Sequence, residues 1–414
     1  MKALKKILEM KQEMTRLRHR LHAEPELAFE ERKTARLLIR QLESCGLKTH
    51  TLAGTGVVAV LHGKSGPGGK AIMLRSDMDA LPVKENTGAV HASRTPGVHH
   101  ACGHDGHMAM LLGAAKYLAE TKNFEGTVYF VFQPAEEHIG GAKEMIKEGL
   151  FQKFPCDEVY GLHNYPGLPL GAMATGTGPM LAASDEYHIS FKGTGGHSAH
   201  TENTADVVGA AAEAILAIKA LADSDIPEEE SAVMTVCSVI TETDAANILP
   251  AKVSVNGSVR TYDPALHDKL KEGIEKIVLA AAKKYGVTAE LEFKNGYPLL
   301  VNTKNETDFA VSVAQELMGE DHVLTSVPKT MGVEDFAYFL QQKPGNFMVI
   351  GTGHADDNGK FNDLHSAKYD FNDAALPLGA SYWARLVERA LPVAATPPAA
   401  NPGETPAAPK GPKF

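Results

Sequence analysis

HHACGHDGH, residues 99–107, is the stretch around which the fold and the chemistry of this sequence are organised. It contains four histidines, one cysteine and one aspartate, and its two glycines let the backbone turn tightly. Imidazole nitrogen and thiolate sulfur are donors that borderline divalent metals such as zinc, cobalt and nickel bind in proteins. The alternative is a polar surface loop, but His-rich loops are uncommon outside metal sites and tags. We therefore predict that this stretch binds metal and that other segments supply further ligands and a base.

Composition indicates a soluble globular protein. A length of 414 residues exceeds what one hydrophobic core usually serves, so we expect two domains. The net charge of −10 argues against a nucleic-acid partner, because such proteins normally carry a basic face. Residues 1–20 are charged throughout and lack the apolar core of a signal peptide, and no run approaches the ~20 apolar residues that span a bilayer. The four cysteines form no CxxC pair, which predicts free thiols in a reducing compartment. Together these features predict a cytoplasmic protein without a membrane partner.

The order of helical and strand patterns predicts an α/β fold. Runs such as GVVAVLHG, AIMLRSDMD and GTVYFVF alternate with helical segments, above all GHMAMLLGAAKYLAETK. From about residue 184 the strand patterns alternate with one exposed face and two long helices lie between them, which predicts an inserted α+β sandwich. We predict a discontinuous catalytic domain over residues 1–183 and 297–391, an inserted domain over 184–296, and a disordered Pro/Ala-rich tail over 392–414.

Two adjacent carboxylates follow the apolar strand pattern of GTVYFVFQP. Glu136 and Glu137 come directly after it, so their side chains point in different directions and can play different parts. One carboxylate can bind a metal while the other holds a proton beside it. An isolated pair of glutamates is more often a solvated helix start. The strand before this pair and the metal loop upstream favour the functional interpretation.

Other polar side chains also stand where strand patterns end. His163 follows one strand pattern, and His365 lies in a turn before the last helix. Asp77 and Asp79 alternate along a strand; they could orient a ligand histidine, or they could simply pair with Arg75. Open α/β sheets place their active sites at the carboxyl ends of strands. Each of these residues is a weak indication when taken singly.

Ten segments of the chain carry a resemblance to a known family. In chain order they are RHRLHAEPEL, LRSDMDALP, ACGHDGHMAMLLGAA, VFQPAEE, GLHNYP, GTGGHSAH, NILP, GSVRTYD, MGVEDFAYF and LHSAKYDFND. Together they resemble the M20 metallopeptidase family, and most closely its amidohydrolase branch of hippurate hydrolases and N-acyl-amino-acid or indole-3-acetyl-amino-acid hydrolases. The resemblance extends over nearly the whole chain to about residue 390. It implies a zinc-peptidase-like α/β catalytic domain with an inserted lid and dimerisation domain.

The resemblance implies a centre of two divalent metal ions in each subunit, with manganese, zinc, cobalt and nickel all open as the native metal. It implies that Glu136 is the general base and that Asp79 orients a ligand or the metals. It gives no ligand role to Asp77. The implied metal ligands are Cys102, His104, Glu137, His163 and His365.

The resemblance also implies roles for residues around the inserted domain. His197 matches a lid histidine that polarises the substrate carbonyl, often in the partner subunit's site. Asn247 and Arg260 match positions that hold the substrate carboxylate, although Arg260 could instead form an ordinary strand salt bridge. We therefore expect a homodimer or homotetramer that associates through this domain. The segment implied to line the same pocket includes Thr330 and Gly332.

The implied reaction is hydrolysis of hippurate-like N-acyl-L-amino acids to a carboxylic acid and a free amino acid, with Glu136 as general base for a metal-activated water. A dipeptidase or an N-acetyl-diaminopimelate deacetylase would use the same site. A catalytically silent protein that binds metal or amino acid is the alternative from another class, and the complete ligand set argues against it. The sequence leaves open the native metal, the acyl and amino-acid preference, which ion each ligand binds and the choice between dimer and tetramer. It also leaves open the effect of Thr201, which stands where the family commonly has proline.

Overall fold

The computed structural model of the chain describes residues 2–137, 140–227, 232–327, 329–353 and 361–393. Its helices are α1 (Lys5–Glu9), α2 (Lys11–Ala23), α3 (Arg32–Ser44), α4 (His104–Thr121), α5 (Gly141–Lys147), α6 (Leu150–Lys153), α7 (Val207–Asp225), α8 (Pro264–Tyr285), α9 (Lys304–Met318), α10 (Ala337–Leu340) and α11 (Leu376–Ala390). Its strands are β1 (Lys48–Leu52), β2 (Gly56–His62), β3 (Ala71–Asp77), β4 (Thr127–Gln133), β5 (Glu158–Pro169), β6 (Met173–Ala174), β7 (Gly178–Leu181), β8 (Ala183–Lys192), β9 (Gly196–His197), β10 (Ala232–Thr241), β11 (Ile248–Leu249), β12 (Lys252–Thr261), β13 (Thr288–Asn295), β14 (Leu300–Asn302), β15 (Val323–Leu324) and β16 (Gly345–Gly353).

A mixed eight-stranded sheet carries the first structural unit, in the order β1-β2-β4-β3-β5-β16-β6-β15. Its four central strands, β4, β3, β5 and β16, run parallel, whereas β1 and β2 extend the sheet in antiparallel pairing. Because parallel strands end at the same edge, the residues after β3 and β4 meet there. This sheet confirms the predicted α/β class.

Helix α4 anchors the metal loop to the core. It packs on β3, α2 and α11, and every residue from His104 to Ala115 is buried. Its Ala, Leu and Met side chains combine high helix propensity with apolar burial, which stabilises the fold by about 1.5–3 kcal/mol for each large side chain. Since His104 is the first residue of this helix, the core fixes the position of the loop that precedes it.

A second, four-stranded antiparallel sheet forms a separate unit, in the order β10-β12-β8-β13. Helices α7 and α8 cover it, and apolar side chains such as Phe191, Leu270 and Ile274 form its core. The order of these elements is the β-α-β-β-α-β pattern expected from the sequence. The domain boundaries near residues 184 and 296 remain our prediction.

The structure differs from the sequence prediction at the end of one strand. His163 lies inside β5 and not at its end, because β5 continues to pair with β16 beyond the last residue that pairs with β3. Within the described ranges, no helix is long and apolar enough to cross a membrane. The predicted tail lies outside the described residues from position 394 onward.

Glu31 connects the start of α3 to the exit of β4. Its side-chain oxygens accept hydrogen bonds from the hydroxyl of Thr55, at 2.6 Å, and from the backbone N–H of Ala135, at 3.0 Å. Ala135 has a φ of 53°, a left-handed conformation that non-glycine residues rarely adopt. Burial raises the pKa of Glu31 to about 7, although both hydrogen bonds act in the opposite direction.

We predict that Glu31→Gln changes the pH dependence of stability. Between pH 4.5 and about 7 the unfolded carboxyl ionises while the folded one stays protonated, so the wild-type free energy of unfolding falls as pH rises. This decrease in the free energy of unfolding reaches at most about 3 kcal/mol, and the variant lacks it. Urea unfolding of both proteins across this range measures it. A constant difference between the two proteins would contradict the prediction.

Candidate metal centre and active site

Gly103 and His104 place the first predicted ligand. Gly103 has a φ of 88°, and a Cβ atom there would lie 2.1 Å from Oδ1 of Asn164, so only glycine fits. Nδ1 of His104 donates to the backbone carbonyl of Asp79 at 2.9 Å. This bond makes Nδ1 a donor, and Nε2 faces the other predicted ligands.

The other predicted ligands lie around His104. Nε2 of His104 is 3.7 Å from Oε1 of Glu137, and the same oxygen is 3.3 Å from Nε2 of His365. The sulfur of Cys102 lies 3.5 Å from Nε2 of His163, whose Nδ1 donates to the carbonyl of the next residue. The backbone N–H of His365 donates to the loop 99–107 at 2.8 Å, which holds its turn against the site. The structure thus brings all five predicted ligands together.

Two buried atoms of this group have no hydrogen-bond partner among the described residues, Nε2 of His104 and Oε1 of Glu137. Buried polar atoms are normally paired, because desolvation without a partner costs about 1–3 kcal/mol. Although burial lowers it, the pKa of His104 is raised to about 10, chiefly by the charge of Asp77, so the site favours positive charge at this position. Imidazole, thiol and carboxylate donors with unpaired atoms fit a divalent cation.

Asp77 and His107 form the wall beside these ligands. Nδ1 of His107 donates to Asp77 at 2.6 Å, and its Nε2 accepts the backbone N–H of Asn164 at 2.9 Å. Asp77 also pairs with Arg75 at 2.8 Å, as the simpler sequence interpretation allowed. Donor atoms of Asp77, His104, His107 and His163 nevertheless lie within 4.8 Å of one another, so Asp77 adds negative charge directly beside the predicted ligands.

Asp79 positions both glutamates of the predicted pair. Its two carboxylate oxygens accept the backbone N–H groups of Glu136 and Glu137, each at 3.0 Å. The phenol of Tyr297 donates to the backbone carbonyl of Glu136. These bonds hold the chain just after β4 in one conformation, and they hold it against the backbone segment that orients His104.

Glu136 lies in a buried cluster of carboxylates. Its carboxyl oxygen is within 4.8 Å of those of Glu334 and Asp335, and Arg75 pairs with each of these two at 2.9 Å. Burial, followed by the charges of Glu334 and Glu137, raises the pKa of Glu136 well above its ordinary value. A carboxylate in these surroundings accepts a proton more readily than one in water, as a general base requires. The sequence indicated Arg75 only as a partner of Asp77 and Asp79, and it assigned no role to Glu334 or Asp335.

His197 lies in β9 of the second unit, and Asn247 directly precedes β11, which pairs with β9. Nδ1 of His197 accepts the backbone N–H of Ala199 at 3.0 Å, so its Nε2–H remains available as a donor. The carbonyl of Asn247 accepts the backbone N–H of Ser198 at 3.1 Å, and both predicted residues are exposed. Within the described part of the chain, no hydrogen bond or ion pair joins them to Glu136 or to the predicted ligands.

Arg260, Thr330 and Gly332 are neighbours. Nη1 of Arg260 donates to the carbonyl of Met331 at 2.7 Å, and no carboxylate among the described residues pairs with it. The phenol of Tyr262 donates to the carbonyl of Thr330 at 2.7 Å, and Gly332 donates to the Thr330 hydroxyl at 3.3 Å. This loop continues directly into the acidic pair beside Glu136, so a pocket at Arg260 would adjoin the base.

Comparison with known proteins shows what this arrangement is similar to. Residues 73–389 match Peptidase family M20/M25/M40. A protein named hippurate hydrolase from Campylobacter jejuni is 37% identical over 392 residues, which cover 94% of this chain and 100% of that relative. IAA-amino acid hydrolase ILR1-like 2 from Arabidopsis thaliana is 34% identical over 91% of this chain and 85% of its own length. A Bacillus subtilis crystal structure, described as a dinuclear metal-binding peptidase from the M20 family, superposes with a TM-score of 0.77 at 29% identity, covering 93% of this chain and 99% of that one.

We predict that Asp79→Asn weakens metal binding by about 10- to 100-fold, since an amide cannot accept from both backbone N–H groups. Competition with a chelator measures the Zn²⁺ affinity. The matched control is Asp157→Asn, because Asp157 accepts the backbone N–H of Ala71 at the opposite end of β3. Unchanged affinity in Asp79→Asn would show that Asp79 does not position the ligands.

Proposed function

Because this chain belongs to Peptidase family M20/M25/M40 and is a hydrolase of amide bonds, we propose that it is a metal-dependent amidohydrolase that releases free amino acids from N-acyl-L-amino acids. The observation that carries the proposal is the buried base candidate Glu136 beside a cluster of five metal-type donors. The relatives named for hydrolysis of hippurate and IAA-amino acids support this substrate class. They also argue against the catalytically silent alternative.

The proposed centre holds two divalent ions, and a neighbour described as dinuclear supports that number. When bound, such ions lower the pKa of water from about 15.7 towards about 7 and polarise the substrate carbonyl. The thiolate of Cys102 favours borderline metals over magnesium or calcium, which leaves manganese, zinc, cobalt and nickel open. The residues that would hold the ions are Cys102, His104, Glu137, His163 and His365.

Glu136 carries the proton in the proposed reaction. Its carboxylate takes a proton from the attacking water as the new carbon–oxygen bond forms. It then gives this proton to the leaving nitrogen as the carbon–nitrogen bond breaks, so a neutral amine leaves. The elevated pKa of Glu136 suits both steps, because the group must hold the proton between them.

His197 is proposed to stabilise the oxyanion. Its free Nε2–H is the donor that a developing negative charge requires, and its Nδ1 is held by a backbone N–H. His197 is exposed, and among the described residues no hydrogen bond or ion pair joins it to Glu136. We therefore infer that it acts in the active site of a partner subunit. The enzyme would then be a homodimer or homotetramer that associates through the second unit.

Arg260 is proposed to bind the substrate carboxylate, together with Asn247 and the loop that contains Thr330 and Gly332. One guanidinium nitrogen already donates to Met331, which orients the group, and its remaining N–H donors are available for a carboxylate. This arrangement would select substrates that end in a free carboxyl group.

We predict that Glu136→Gln abolishes nearly all turnover of N-benzoylglycine while metal binding is retained, because glutamine cannot accept a proton. Turnover and metal content measured on the same sample separate the two effects. The matched control is Glu144→Gln, on the exposed face of α5, which should keep wild-type turnover. Wild-type activity in Glu136→Gln would refute this role for Glu136.

We predict that Arg260→Lys raises KM for N-benzoylglycine by about tenfold and changes kcat little, because the bidentate contact to the carboxylate is lost. The carboxamide analogue of the same substrate lacks the charge and should respond much less. Arg385→Lys, on the last helix, is the control. An equal effect on both substrates would mean that Arg260 does not recognise the carboxylate.

A further inference from the structure

A second group of metal-type donors joins α2 to the loop 99–107. His22, on α2, has its Nε2 atom 3.3 Å from Oε1 of Glu85. Its ring centroid is 5.2 Å from that of His99, in an edge-on arrangement. One donor atom from each of these three residues lies within 4.8 Å of the others. None of the three belongs to the centre or the base described above.

His99 is the member of this group whose side chain lacks a hydrogen-bond partner among the described residues. Its side chain is fully buried, and among the described residues neither ring nitrogen has a hydrogen-bond partner. Two hydrogen bonds with Leu81, each 3.0 Å long, fix the backbone of His99 in this position. Burial lowers the pKa of His99, which keeps the ring in the neutral form that binds metals. A bound cation or an ordered water would satisfy a buried imidazole of this kind.

His22 and Glu85 are held in orientations that suit a metal. Nδ1 of His22 lies 2.8 Å from the carboxylate of Asp105, and this bond directs Nε2 toward Glu85. A histidine that donates one nitrogen to a carboxylate and offers the other is the usual arrangement at a metal site. Glu85 is fixed by the hydroxyl of Thr87 and by the backbone N–H of Ser93 at 2.6 Å.

We propose that His22, Glu85 and His99 form a third site for a divalent cation such as Zn²⁺, separate from the dinuclear centre. Two histidines and one glutamate are a known zinc donor set, with solvent as the fourth ligand. Zinc–ligand bonds of about 2.05 Å in a tetrahedron place the donor atoms about 3.4 Å apart. The 3.3 Å between His22 and Glu85 already meets this requirement.

The neighbouring group of His22, His91 and Asp370 is less suitable. Arg18 lies 2.5 Å from His91 and 2.7 Å from Asp370, so a guanidinium charge already occupies the position that a cation would need. The third site therefore lies on the side of Glu85 and His99, away from Arg18.

The proposed ion would hold the catalytic loop in place. It would join α2, the segment that contains Glu85 and the first residue of the loop 99–107. Asp105, which orients His22, follows directly after the predicted ligand His104. The third ion would therefore stabilise the backbone that carries the catalytic ligands without contacting the substrate.

Metal content per chain tests this proposal. After equilibrium dialysis against Zn²⁺, the wild type should hold three ions, and His99→Leu and Glu85→Gln should each hold two. The control His322→Leu removes an exposed histidine elsewhere and should keep three. If His99→Leu and Glu85→Gln both hold as many ions as the wild type, the proposal is wrong. Glu85→Gln carries the test alone should His99→Leu fail to fold.

A second arm separates this site from the proposed dinuclear centre. Cys102→Ala combined with Glu137→Ala should still bind one Zn²⁺, and adding His99→Leu should remove it. When Co²⁺ replaces Zn²⁺, the remaining ion should give the absorption spectrum of tetrahedral cobalt. That spectrum should lack a thiolate-to-cobalt charge-transfer band, because Cys102 is absent. If no ion remains in the double variant, the third site does not exist.

Discussion

Asp79 is the residue on which the geometry of the active site depends. Its carboxylate accepts the backbone N–H groups of Glu136 and Glu137, and its backbone carbonyl accepts Nδ1 of His104. A single residue, two positions after the end of β3, therefore positions both the residues that follow β4 and the start of α4. Charge-assisted hydrogen bonds of this type are worth about 1.5–3 kcal/mol each, enough to hold a strand exit that passes through the left-handed Ala135.

The same edge of the sheet concentrates buried negative charge. Asp77, Glu136, Glu334 and Asp335 are all at least 95% buried, and the guanidinium of Arg75 pairs with three of them. One cation cannot compensate four carboxylates, so the edge stabilises further positive charge. Burial and then the neighbouring carboxylate charges raise the pKa of Glu136. The same buried carboxylate charge therefore favours cation binding and strengthens Glu136 as a base. The apolar strands around the cluster make it effective because they keep the local dielectric low.

Much of this site could be predicted from the sequence, because its residues come from short segments in which residue type indicates the chemistry. The loop 99–107 and the glutamates after β4 were identified in this way, and the structure brings them together with His163 and His365. The network around Arg75 could not be predicted, because Asp335 is 260 positions away and the pairing depends on the tertiary fold. Likewise, nothing in the sequence places His99 beside His22 and Glu85. The extension of β5 past His163 depends on β16, which is remote in sequence.

Hydrolysis of N-benzoylglycine by metal-stripped protein, before and after divalent metal is returned, tests the account most directly. Because the carboxylate-rich edge and its five donors are proposed to work only with bound cations, the stripped protein should release no glycine. Activity should return with at least one of Mn²⁺, Zn²⁺, Co²⁺ and Ni²⁺. Full activity in the stripped protein, or none with any metal on any N-acyl-amino acid, would contradict the account.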